Sequence, residues 1–118
     1  MDSAQKKDLR EQYRQMKPAM GVFAVRNIRS NRCFLEASAD IPSMFNRIRF
    51  QLDMGMHPNR ALQQDWKEQG ADAFTFETID RLEYSNDAAK TDYREDLKTL
   101  KSLWRDRLAG EGRLSFYP

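Results

Sequence analysis

Apolar and polar positions alternate in blocks along this chain, and the first clear block spans residues 20–40. Gly21 to Ile28 ("GVFAVRNI") is rich in apolar and β-branched residues, "RSNR" is polar, and "CFLEAS" is apolar again. Strand signals on either side of a short polar turn predict a β-hairpin. The period then changes. Ile41, Met44, Phe45, Ile48 and Leu52 recur at the spacing of a helix face, with Asp40 placed to cap it, Pro42 in its first turn and Gly55 at its end. Asn59 to Gln69 reads as a second, shorter helix with Leu62 and Trp66 on one face and Gly70 closing it. "AFTFETIDRL" sets Phe74, Phe76 and Thr78 against Thr75, Glu77 and Ile79, the alternation of a half-buried strand. After the polar stretch "EYSNDAAKTD", residues from Asp92 to about Ala109 carry Tyr93, Leu97, Leu100, Trp104 and Leu108 as one apolar seam of a long helix.

The ends are less regular. Residues 2–16 predict a short amphipathic helix with Leu9, Tyr13 and Met16 at helical spacing, stopped by Pro18. The tail "GEGRLSFYP" has no period, and Leu114, Phe116 and Tyr117 are expected to dock back on the domain. The predicted order is αββααβα: an α+β fold with a small three-stranded antiparallel sheet flanked by helices. A length of 118 residues suits one domain. Its parts are an N-terminal helical extension over 1–19, a core domain over 20–109 and a C-terminal tail over 110–118.

Composition narrows the classes without naming one. The chain is 40% hydrophobic and 32% charged, which excludes global disorder. No apolar run approaches the roughly 20 residues that cross a bilayer. The N-terminus lacks the apolar stretch of a signal peptide, so a cytoplasmic protein without membrane partners is expected. Cys33 is the single cysteine, which rules out an internal disulfide, and one Cys with one distant His argues against structural zinc. Cys33 reads as a small buried hydrophobe. Most of the six methionines fall on helix stripes and read as core.

Charge is nearly balanced at +2, but it is unevenly spread. Residues 26–60 hold Arg26, Arg29, Arg32, Arg47, Arg49 and Arg60 against Glu36, Asp40 and Asp53. Residues 61–83 reverse the sign, with Lys67 and Arg81 against Asp65, Glu68, Asp72, Glu77, Asp80 and Glu83. The arginines are candidates for a face that contacts nucleic-acid phosphate, or for a solvated rim around the hairpin. Glu36 is the anomaly: a carboxylate in the middle of the second strand is a poor strand former beside a core.

The ordered set of phrases resembles the GIY-YIG nuclease family, in particular its small single-domain bacterial members. Gly21-Val22-Phe23 stands in the place of the family's opening Gly-Ile-Tyr, and Phe34-Leu35-Glu36 in that of Tyr-Ile-Gly. Gly55, His57, Leu62-Gln63, and Gly70 with Phe74 are similar to the family's connecting region, and Trp104 to its final helix. The likeness covers residues 20–109. It implies cleavage of phosphodiester bonds with one divalent metal, two strand tyrosines that help activate water, a helix arginine that steadies phosphate and a glutamate that binds the metal. A hard cation needs oxygen ligands, and charge developing on phosphate needs a fixed cation.

This chain departs from that pattern at each position. The tyrosine places hold Phe23 and Phe34, the arginine place Met44, the helix histidine Ile48, the metal glutamate Lys101 and the strand glycine Glu36. No intact catalytic residue and no resident metal are therefore expected. In the family fold the second strand's glycine and the last helix's glutamate face the same groove, so Glu36 and Lys101 are expected to form a salt bridge across it.

Three functions follow. The first is a GIY-YIG-like domain that has lost phosphodiesterase activity and binds DNA, RNA or a protein. The second is an active endonuclease using magnesium or manganese at a relocated site, with Glu36, Asp40 or Glu95 as ligands and His57 as base. For His57, followed by Pro58 in a turn, a capping or solvent-facing role is the simpler expectation. The third is a protein-interaction or self-association module that uses "LSFYP" or the N-terminal helix.

Overall fold

The computed structural model of this chain describes residues 3–5, 17–112 and 114–118. Residues 3–5 are helical, and the rest of the helix expected over 2–16 lies outside the described residues. Strands β1 (Gly21–Asn27) and β2 (Arg32–Ser38) form the expected hairpin, antiparallel from Gly21 opposite Ser38 to Arg26 opposite Cys33. Asn27 shapes the turn. Its Oδ1 accepts the Arg29 and Ser30 N–H groups at 3.0 and 3.3 Å, and Asn31 then takes a left-handed φ of 58° that asparagine tolerates.

Helix α1 (Ile41–Asp53) begins where its cap dictates: Asp40 accepts the Ser43 N–H at 3.1 Å and the Ser43 hydroxyl at 2.8 Å. Helix α2 (Arg60–Gln69) is capped by Asn59, whose Oδ1 accepts the Leu62 N–H at 3.1 Å. A single 3₁₀ turn (Ala71–Ala73) leads into β3 (Phe74–Arg81), and α3 (Arg94–Gly110) follows the polar loop. Tyr93 sits at the start of α3 as its cap and turns to the loop: its ring meets Tyr84 at 5.5 Å and its hydroxyl accepts the Ser85 N–H.

The sheet differs from the expected three antiparallel strands. It has four, in the order β3-β1-β2-β4, because Ser115–Phe116 forms β4 and pairs parallel with Arg32 and Cys33 of β2. The tail is thus ordered at its end rather than irregular, and Leu114, Phe116 and Tyr117 do dock on the domain.

Alternation on β1 divides the core in two. Phe23 and Val25 face α1 and α2, packing with Ile48, Leu62 and Trp66; Val22 and Ala24 face α3, with Cys33, Leu35 and Leu108. Cys33 is buried and its thiol pKa is raised by that burial, in keeping with a core role. Gly21 lies just before the register shift with β3 between Val22 and Phe23, and an added Cβ there would run into the Asp80 carbonyl. No helix among the described residues is long and apolar enough to cross a membrane.

Candidate functional site: a groove along the open edge of the hairpin

Past Cys33, β2 has no partner strand on its outer side among the described residues. An edge strand presents unpaired N–H and C=O groups that something must satisfy. Glu36 satisfies one of them: its Oε1 accepts the N–H of Ala37 at 3.1 Å. By strand alternation Glu36 shares the α1 side of the sheet with Phe34, whereas α3 packs on the opposite side. Lys101 of α3 nevertheless reaches it around the open edge, with Nζ 2.8 Å from Oε1. The awkward strand carboxylate is therefore a paired one.

Two hollows meet at this ion pair. One, of about 600 Å³, lies between β2, α1 and the turn before α2; Phe34, Met44, Ile48 and His57 give it apolar and aromatic walls, and Arg47 and Gln51 also line it. The other, about 440 Å³, is bounded by Met44, Leu97, Arg94, Lys98 and Lys101. Glu36, Ala37 and Met44 belong to both, so the two are one groove.

Five of the six positions singled out by resemblance come together here. Phe34, Glu36, Met44 and Ile48 line the first hollow, and Glu36, Met44 and Lys101 the second. Phe23 lies beneath them, fully buried and edge-on to Phe45 at 5.3 Å. His57 is buried rather than solvent-facing. Its Nδ1 accepts the Asn59 N–H at 3.0 Å, its ring stands perpendicular to Phe34 at 5.2 Å, and burial lowers its pKa. That hydrogen bond assigns the proton of the neutral ring to Nε2.

The arginines do not gather into one face. Arg47 lines the groove, and Arg60 lines a separate hollow beside Gln63 and Lys67. Arg26 pairs with Glu77 at 3.4 Å on the α3 side, and Arg32 pairs with Asp65 at 3.7 Å while lying over the Tyr117 ring. Arg49 lies over Phe76, and Arg29 is exposed at the hairpin turn. Sequence reasoning missed Arg94 and Lys98, which precede Lys101 on one face of α3 and could have been found from that spacing; Arg94 is paired with Asp92 at 2.8 Å.

The donor set does not fit a divalent cation. Glu36, the carboxylate of the groove, has its Oε1 bonded to an ammonium whose charge opposes a cation and to a backbone N–H, and the side chains of Phe34, Met44 and Ile48 offer no oxygen. Asp40 is spent on the α1 cap, and Glu95 lines a different hollow with Leu82 and Leu103. Among the described residues, no three His, Cys, Asp or Glu side chains cluster as metal ligands.

Comparison with solved structures decides the fold. The catalytic domain of the homing endonuclease I-TevI superposes with a TM-score of 0.65 at 15% identity, over 84% of this chain and 98% of that domain. The fold is GIY-YIG-like. A mutant of the same intron endonuclease domain gives a TM-score of 0.64, again at 15% identity, over 82% of this chain and 91% of that one. No protein-family model and no curated protein matches the sequence. The parallel strand β4 sits on this GIY-YIG-like sheet beside β2, and Pro118, two residues beyond it, lines the first hollow.

Proposed function

We propose that this GIY-YIG-like domain binds nucleic acid through the groove and does not cleave it. The observation that carries the reading is the Glu36 to Lys101 ion pair at 2.8 Å. In the likeness, the place of Lys101 belongs to the metal-binding glutamate. An ammonium there, paired with Glu36, repels a cation instead of coordinating it. Arg47 and Lys98, which form no ion pair among the described residues, supply the attraction for the phosphates of a strand lying in the groove. The first part of the reading predicts no nicking of supercoiled plasmid with magnesium or manganese. Chelator-sensitive nicking overturns it. The second predicts binding of DNA or RNA at low salt that weakens steeply as salt rises, and absence of binding to both removes it.

The reading as a pure interaction module has less support. Of the two segments it relied on, the tail is used within the chain, where Tyr117 is buried and Phe116 pairs with β2, and most of the expected N-terminal helix lies outside the described residues.

A further inference from the structure

The groove changes character along its length. On the α1 side it is a hollow of about 600 Å³ whose walls are Phe34, His57, Met44 and Ile48. On the α3 side it is a shelf of three basic residues: Lys101 is paired with Glu36 and Arg94 with Asp92 at 2.8 Å, which leaves Lys98 as the cation without an ion pair among the described residues. Between them lies Glu36, whose negative charge is offset by Lys101, so it does not oppose an anion as a free carboxylate would. An apolar, ring-walled seat next to a cationic shelf matches the alternation of base and phosphate in one strand. It does not match duplex DNA, whose bases are stacked and paired and present only their edges in the grooves.

We propose that the hollow beside Phe34 seats one unpaired nucleobase of a single-stranded nucleic acid, with the adjoining phosphates on Arg47 and on the Lys98 and Lys101 side. The proposal rests on the nucleic-acid-binding reading above and names its ligand class. A volume of this size is ample for one planar base and its sugar. Phe34 is half-buried, so its ring is held by the fold while part of it remains open to the hollow. Base stacking on such a ring is the usual source of sequence-tolerant affinity for single strands. Gln51, on the rim, offers an amide donor and acceptor to a base edge, and His57 Nε2–H offers a second donor.

An acidic peptide would also meet the cationic shelf, but it has no planar group for the ring-walled seat. The two ligand classes therefore separate experimentally. The full chain is titrated at low salt against fluorescein-labelled oligothymidylate, the corresponding dT·dA duplex and polyglutamate, with fluorescence anisotropy as the readout. The single strand is expected to bind about tenfold or more tighter than the duplex. Phe34→Leu keeps an apolar side chain and removes the ring, and Gln51→Trp plugs the hollow from a half-exposed helix position; both are expected to cost the single strand roughly tenfold and leave the duplex unchanged. Circular dichroism and Tm confirm that each variant is folded. Equal affinity for single strand and duplex, untouched by either variant, overturns the base seat and leaves nucleic-acid binding standing. Failure of both nucleic acids to bind removes that broader reading as well. Polyglutamate binding as tightly as oligothymidylate shows a surface that reads charge alone and also overturns the seat.

Discussion

Lys101 and Glu36 come from opposite sides of the sheet, and their 2.8 Å contact closes around the edge of β2 where no strand of the described residues covers it. Both side chains remain about a third exposed, at 32% and 40%, so solvent screens the pair and its energy is modest. A double-mutant cycle on Glu36→Lys, Lys101→Glu and the double swap is expected to return a coupling of about 0.2–1 kcal/mol, with the swap recovering part of what each single loses. Urea unfolding of the four proteins measures it. A swap that recovers nothing shows that the contact contributes no stability.

Gly21 is fixed by its surroundings more firmly than any groove residue. Its φ of 151° is one that residues with a Cβ rarely adopt, and a Cβ built there collides with backbone atoms of Asp80 and Arg81 on β3. The collision is with main chain, so no side chain can swing aside. Gly21→Ala is expected to destabilise the domain by more than about 2 kcal/mol, or to prevent folding. Gly55→Ala is the control: its φ is also positive, at 74°, but nothing lies within reach of the new Cβ. It should therefore cost only the backbone strain, about 1 kcal/mol. Comparable losses in denaturant midpoint for the two would show that crowding at Gly21 is relieved elsewhere.

How much of this was legible in the sequence depends on range. The hairpin, the Asp40 cap and the stripe of α1 are local, and pattern alone located them. The pairing of Glu36 with Lys101 spans most of the domain and became legible only through the resemblance, which put both positions on one groove. β4 was not legible, since a two-residue strand is too short to show a period and its parallel partner lies far back in the chain. Charge counting likewise found the arginines without their partners: Arg26 is held by Glu77 and Arg32 by Asp65. Asn27 lies inside the apolar run of the first strand and gives no signal of its own, yet it is fully buried and joins the turn to Gln69 and Tyr117.

His57 ties stability to acid. Burial depresses its pKa below the ordinary imidazole value of about 6.5, because the charged ring is poorly solvated beside Phe34. The neutral ring is the folded form, and its Nδ1 needs to be unprotonated to accept the Asn59 N–H. The unfolded chain takes up the proton first as pH falls. The contribution is therefore full above about pH 6.5 and is lost on descent through the lower folded pKa. Nuclear magnetic resonance titration of the ring should place its midpoint below 6.5, and His57→Gln should flatten the slope of stability against pH in that range. A midpoint at or above the ordinary value contradicts the burial argument.

Tyr117 makes the opposite prediction at alkaline pH. Its hydroxyl donates to Asp65 at 2.7 Å and accepts from Asn27 Nδ2 at 3.2 Å, so ionising it would place a phenolate against a carboxylate in a buried setting. Burial first, and the Asp65 hydrogen bond next, push its pKa up to about 12. The folded value is raised, so the neutral phenol is favoured by folding. Its contribution is whole below the ordinary value of about 10 and is lost as pH climbs from there through about 12. Tyr117→Phe removes the hydroxyl, leaves Asn27 short of a partner and is expected to cost about 1–3 kcal/mol at neutral pH. The same variant should lose less stability than the parent between pH 10 and 12, which urea unfolding at stepped pH can read directly. Parallel pH profiles for the two proteins would mean that the β4 tail is not held by this hydroxyl.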